Sequence, residues 1–272
     1  MTVLLLVNFS ATAQKKKKQN GDSLAVYREF AQLGQLYMQL PLQMNVHFLY
    51  KATPLITEQD STETDMILYY SKKDFYMQAE GMEQIANDTL MVMVNNEVKM
   101  ISLYPNNGQL IKNLEKMVSV LTPDSSLEEL AQRYSAKIQD EEKGNKRIIL
   151  QSRDKIFGTD LFKETISVVF HAATYQPFTY DQAKLSLLPV DSAIYYQLTG
   201  DSAYAGKLVS TNTDAGNLFF VVKEKITQCR FTKITHNQQV PPVREQDRVL
   251  RVANGEYQPA KGFEDYLVSK EF

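Results

Sequence analysis

Few residues in this chain have both the type and the spacing to do chemistry. His47, His171 and His236 lie far apart, and no pair has the spacing that puts two imidazoles on one helical face, so no metal site is expected. Cys229 is the only cysteine, which rules out an internal disulfide and a cysteine zinc cluster and leaves a buried, inert thiol as the expectation. The segment from Gly200 to Lys207 nearly spells a phosphate loop. Its glycines stand one residue too far apart, however, and Leu208 occupies the place of the Ser or Thr that would hold magnesium. Asp140, Glu141 and Glu142 are adjacent in a predicted turn and read as solvated charge; catalytic carboxylates drawn from distant strands would leave no sequence signature. No G-x-S-x-G, H-E-x-x-H or C-x-x-C motif is present. Arg244, Arg248 and Arg251 would align on a helix, but Pro241, Pro242 and Gly255 bracket them and Val249, Leu250 and Val252 suit a strand, so ordinary salt bridging is expected. The sequence therefore predicts no enzyme, with no catalytic residues, no metal and no cofactor.

What stands out instead is methionine. Met38, Met44, Met66, Met77, Met82, Met91, Met93, Met100 and Met117 all fall in one third of the chain. Methionine is flexible and polarizable, and it suits a surface that must accept varied apolar shapes, although the same residues could simply pack a core. The surrounding composition is ordinary for a globular protein: 43% hydrophobic and 23% charged over 272 residues, long enough for one large β-rich domain. A net charge of -2 offers no general attraction to nucleic acid, and no apolar run approaches the ~20 residues of a membrane span.

The elements that would position the methionines can be read from periodicity. Val3 to Val7 form a short apolar core, and Ala11, Thr12 and Ala13 form an A-x-A cleavage site followed by Gln14. This reads as a signal peptide over 1–13, its basic start missing, and predicts export to the periplasm. A lysine-rich linker over 14–21 follows. Val26, Phe30, Leu33, Tyr37 and Leu40 form one helical stripe beginning near Asp22 or Ser23 and ending at Pro41. Residues 43–52 alternate as a strand, with Met44, Val46, Phe48 and Tyr50 on one face. After a polar loop over 53–65, a ladder of short strands runs from Met66 to Tyr104: a run at 66–70, alternation around Phe75 and Met77, a run at 90–94, an Asn95-Asn96 turn, and a return through Val98, Met100 and Tyr104. Two helices are expected next, over 110–121 and from Asp124 to Tyr134, separated by Pro123. Strands resume at 136–140, 147–151, 165–171 and 178–187, then at 218–222, 226–234 and 266–268. Short turns dominate, so pairing should be antiparallel, and the helices are grouped rather than alternating with strands, which is an α+β pattern.

This order of elements is similar to the periplasmic outer-membrane lipoprotein carrier family, the LolA-like proteins. The likeness rests on the N-terminal amphipathic helix, on Met44-Asn45-Val46-His47-Phe48-Leu49-Tyr50, on Asp88-Thr89-Leu90-Met91-Val92-Met93-Val94-Asn95-Asn96 and Lys99-Met100-Ile101-Ser102-Leu103-Tyr104, and on the helical insertion with Pro123 and Leu127-Glu128-Glu129-Leu130. It covers roughly 22–188. The resemblance implies an incomplete, strongly curved antiparallel β-barrel, a half-barrel covered by the N-terminal helix and the mid-chain helical pair, in a single domain over 22–272 with a core of 22–188 and a C-terminal elaboration over 189–272. It also implies a non-enzymatic carrier whose partners are lipoprotein acyl chains or lipid. The expected apolar lining is Phe48, Met66, Phe75, Met77, Met91, Met93, Met100 and Tyr104. The alternative is an envelope protein that binds another protein and takes no small ligand.

Overall fold

The structure, a computed structural model, describes residues 21–36, 39–54, 60–106, 124–213, 216–253 and 255–271. The expected signal peptide, the lysine linker and the helix over 110–121 lie outside the described residues, as does Met38.

Helix α1 (Gly21–Leu36) leads into β1 (Leu42–Thr53), β2 (Ser61–Tyr70), β3 (Phe75–Ala79), β4 (Met82–Ala86), β5 (Leu90–Asn95) and β6 (Met100–Pro105). Helix α2 (Asp124–Arg133) precedes β7 (Tyr134–Asp140), β8 (Asn145–Ser152), β9 (Glu164–His171) and β10 (Pro177–Val190). Helix α3 (Ser192–Leu198), β11 (Leu208–Thr213), β12 (Gly216–His236), β13 (Val249–Arg251), β14 (Tyr257–Pro259) and β15 (Leu267–Lys270) complete the chain. The main sheet has 13 strands in the order β15-β6-β5-β4-β3-β2-β1-β12-β10-β9-β8-β7, with β11 added beside β12. It is a large, curved, mostly antiparallel sheet that does not close into a barrel. Its two ends are β7 and β15, and β15 runs parallel to β6.

Residues 189–272, expected as an elaboration on a core of 22–188, supply β12, which lies at the centre of this sheet. β12 pairs with β1 and β11 along one side and with β10 along the other. It is one strand of 21 residues where two were expected.

Several local expectations change in the structure. The polar loop expected over 53–65 is half strand: Ser61, Glu63 and Asp65 are exposed, Thr62 and Thr64 are half-buried, and the segment is held by pairing with β1. Polar residues mark a loop only where the backbone lacks a partner, and here β1 provides one. The Asn95-Asn96 hairpin is a wider turn. Asn95 Oδ1 accepts from the amides of Glu97 (3.0 Å) and Val98 (3.2 Å), and Lys99 takes the left-handed conformation at φ 51°. Val98 therefore sits exposed in the turn instead of on the strand face.

Two cores form on opposite faces of the sheet. Val26, Tyr27 and Leu33 of α1 and Leu127, Leu130 and Ala131 of α2 bury against Tyr134, Ile148, Leu150, Val168 and Phe170 of β7–β9. Tyr27 Oη donates to the Tyr134 carbonyl at 2.7 Å, tying the helix to the sheet. On the other face, Tyr69, Tyr76, Ile85, Val92, Val94, Ile101 and Leu103 of β2–β6 are covered by the C-terminal tail through Val243, Val249, Tyr257, Phe263 and Tyr266.

A buried ion pair fixes that tail. Glu83 on β4 is 5% exposed and accepts from Arg248 Nε (3.1 Å) and Nη2 (2.8 Å). The Arg248 guanidinium also lies 4.7 Å from the ring centre of Phe263. Tyr76 Oη donates to Glu83 at 3.4 Å, and burial, reinforced by the Glu83 charge, pushes its phenol up to about 12. The salt bridging expected of the arginines is thus realised at Arg248. Removing one partner of a buried pair leaves the other charge uncompensated, at about 3–5 kcal/mol. Arg248→Ala should lower unfolding stability by about that amount in urea titration, and Glu83→Gln combined with Arg248→Met should recover most of it.

Candidate functional site

Residues directly opposed in an antiparallel pair share a face of the sheet. The register can therefore be followed from strand to strand. Met100 faces Asn95, Met93 faces both Ser102 and Gln84, and Met91 faces both Tyr104 and Ala86. Gln84 faces Met77, Ala86 faces Phe75, and Met77 faces Leu68. Leu68 faces Met44, and Met66 faces Val46, which shares a face with Phe48 at the next alternate position. All eight residues expected to line an apolar surface lie on one face. Strand register and the two-residue pleat together put them there.

The same face continues across the whole sheet. Phe48 faces Cys229, Cys229 faces Tyr180, Tyr180 faces Val168, Val168 faces Ile148 and Ile148 faces Ile138. The methionine ladder and the floor beneath α1 and α2 are thus one surface. Leu42, Met44, Val46, Phe48 and Cys229 form a small core midway along it, with Met66, Leu68 and Tyr180 at its margin. Burial, with the Asp181 charge adding to it, raises the Cys229 thiol to about 11, and this agrees with the inert thiol expected.

The eight residues differ in depth. Phe48 and Phe75 are buried at 5% exposure each. Met66, Met77, Met91, Met93 and Tyr104 are half-buried, and Met100, on the last strand before β15, is 40% exposed. Their neighbours on the opposite face, Val92, Val94, Ile101 and Leu103, are fully buried under the tail. The closed core of β5 and β6 is therefore the valine and leucine side of each strand. One polar contact interrupts the methionine side, where Gln84 Nε2 donates to Met91 Sδ at 3.0 Å.

Toward the helix-covered end, the same face carries a polar cluster that sequence reasoning missed. Glu164 on β9 accepts from Tyr134 Oη and from Gln182 Nε2, both at 2.5 Å, and Lys184 Nζ stands 3.4 Å away. Burial and the bond to Glu164 push the Tyr134 phenol well above its ordinary value. Only strand register brings these four residues together, and no local motif marks them.

The other candidates resolve simply. His47 lies on the opposite face, with Nδ1 2.9 Å from Asp65 and Nε2 3.2 Å from Glu63. The two carboxylates contact different ring nitrogens, so they do not converge on one metal position. His236 Nδ1 lies 2.8 Å from the Gln39 carbonyl. Among the described residues no group of three His, Cys, Asp or Glu could hold a metal ion. The segment from Gly200 to Lys207 contains a 3-10 turn and borders an open cavity of about 380 Å³ lined by Leu198, Tyr204, Leu208 and the intervening turns. This cavity is far in sequence from the ladder and contains none of the eight residues.

No family profile and no curated protein sequence matches the chain. Among solved structures, the chain is similar to a LolA superfamily protein from Nitrosomonas europaea (6% identity, TM-score 0.27, covering 80% of this chain and 94% of that one). It is similar to a putative outer membrane lipoprotein-sorting protein domain from Vibrio parahaemolyticus (9% identity, TM-score 0.25, 79% and 95%). It is also similar to a DUF1329 family protein from Desulfovibrio piger (9% identity, TM-score 0.29, 80% and 95%). The family named from element order is thus among the structural neighbours. At these TM-scores the likeness carries no argument about activity. Among the described residues no helix is long and apolar enough to cross a membrane.

The difference in depth between the two faces has a direct consequence. Ile101→Ala empties a closed core and should cost about 2–5 kcal/mol. Met93→Ala, on the half-solvated side of the neighbouring strand, should cost less than half as much. Equal losses in chemical denaturation would mean that the methionine side is sealed core.

Proposed function

We propose that this protein is a non-enzymatic periplasmic carrier or sensor for an apolar acyl ligand, either a lipid or the acyl chains of a lipid-modified protein, held on the methionine face between sheet and helices. The observation that carries the reading is the asymmetry of β5 and β6. Their aliphatic side is fully buried by the protein's own tail, while Met77, Met91, Met93 and Tyr104 remain half-solvated on a face that runs continuously to α1 and α2. A strip of polarizable side chains accommodates a flexible chain without a fixed shape. Each buried methylene of that chain contributes roughly 0.8 kcal/mol, so eight would supply about 6 kcal/mol before the cost of ordering the chain. Phe48, Met66 and Phe75 would form the floor, with Met100 at the outer margin. Export by the A-x-A signal segment belongs to this proposal.

A second reading rests on the two open ends of the sheet. Among the described residues, β7 and β15 each leave one edge without a strand partner in the main sheet, and an extended peptide from an envelope protein could add there.

Titration with a fluorescent fatty acid tests the first reading. Saturable binding is expected, and Met77→Asp and Met93→Asp should each weaken it at least roughly tenfold by placing a charge under the chain. Native mass spectrometry of the protein after mild extraction should show co-purifying lipid. No saturable binding, or binding indifferent to both substitutions, would remove the carrier role and leave strand addition at β7 or β15.

A further inference from the structure

The face that holds the methionines changes character along β10 and β12. On β12, successive residues of this face are Cys229, Thr227, Lys225 and Lys223, and on β10 they are Tyr180, Gln182 and Lys184. Lys184 and Lys225 are directly opposed, and Lys223 follows two residues along on the same side. Like charges placed opposite each other across two strands destabilise the sheet. Two carboxylates face this group. Glu164 on β9, opposite Lys184, is 3.4 Å from its Nζ but already accepts hydrogen bonds from Tyr134 and Gln182. Asp60, immediately before β2, holds Lys223 at 3.0 Å. On the remaining side, β1 presents Ala52 to Lys225. Three ammonium groups thus share two carboxylates, and Lys225, exposed, has no hydrogen bond or ion pair among the described residues. The strand rise puts Lys225 about 13 Å from Cys229, where lysines interrupt the apolar surface.

We propose that Lys184, Lys223 and Lys225 receive the anionic headgroup, a phosphate or carboxylate, of an amphiphile whose acyl chain lies on the methionine face. This rests on the carrier reading above and adds the headgroup class to it. The ammonium groups act as point charges that need no planar geometry, which suits a headgroup attached to a flexible chain. An anion between Lys184 and Lys225 also relieves the repulsion that the register imposes on them.

The test compares two probes with the same palmitoyl chain, anionic lysophosphatidylglycerol and zwitterionic lysophosphatidylcholine, below their micelle concentrations in about 0.1 M salt. The full chain should bind the anionic probe roughly tenfold more tightly. Lys225→Gln, and more strongly Lys184→Gln with Lys225→Gln, should erase that preference while leaving affinity for the zwitterionic probe unchanged, which also confirms that the variants are folded. Equal affinity for the two probes in the unaltered protein, or a preference that survives both substitutions, would overturn the headgroup site and leave the carrier reading standing. Binding of neither probe would overturn both. Displacement of the anionic probe by an equal concentration of inorganic phosphate would assign the lysines to a free anion and overturn the proposal.

Discussion

The fold depends on the backbone ladder of β12. This strand forms antiparallel pairs with β1 and β11 along one edge and with β10 along the other, joining β1–β6 to β7–β10 in one sheet. Without it, the ladder of short strands and the helix-covered strands would be separate sheets, each exposing an unpaired edge. The pairing also sets the phase of every side chain. A slip of one residue between β12 and either neighbour would turn one half of the sheet over and break the apolar surface running from Met77 through Phe48 and Cys229 to Val168. A bulge between Asn45 and Val46 falls within this joint and is absorbed there.

With the phase fixed, the two faces have different coverings. The tail after His236 closes one face of β2–β6, held by Val249, Tyr257 and Phe263 and by the Arg248–Glu83 ion pair. Helices α1 and α2 close the other face, but over β7–β9. The tail and the helices thus lie on opposite faces and at opposite ends. The methionine strip is the part of the helix-side surface that lies beyond their described contacts. The proposed ligand surface rests on this arrangement, in which the chain's own residues supply the aliphatic core of β5 and β6 on the other side.

Much of this was legible in sequence where the signal is local. Alternation in 43–52 and around Phe75 and Met77 located β1 and β3, and an apolar run at 90–94 located β5; the strand register puts the eight candidate residues on one face. The helical faces of Val26, Leu33, Leu127 and Leu130 were legible from local periodicity in the same way. What escaped the sequence depends on distant partners. β4 reads as polar because Glu83 points into the core, and that position is tolerable only because Arg248, 165 residues away, neutralises it. The first half of β2 reads as loop because its exposed side is Ser61, Glu63 and Asp65. The central place of β12 had no local sign, since its partners lie in segments far from it in sequence. The cluster of Glu164, Gln182, Tyr134 and Lys184 is likewise a product of register.

The central claim is that one face of the ladder is available to an apolar guest while the other is closed by the protein itself. Methyl NMR during titration with oleate tests it most directly. The methionine methyl signals of Met77, Met91 and Met93 should shift and saturate together, while the methyl signals of Val92, Val94 and Ile101 on the opposite face stay where they are. Methionine signals that do not move, or valine and isoleucine signals that move with them, would contradict the account.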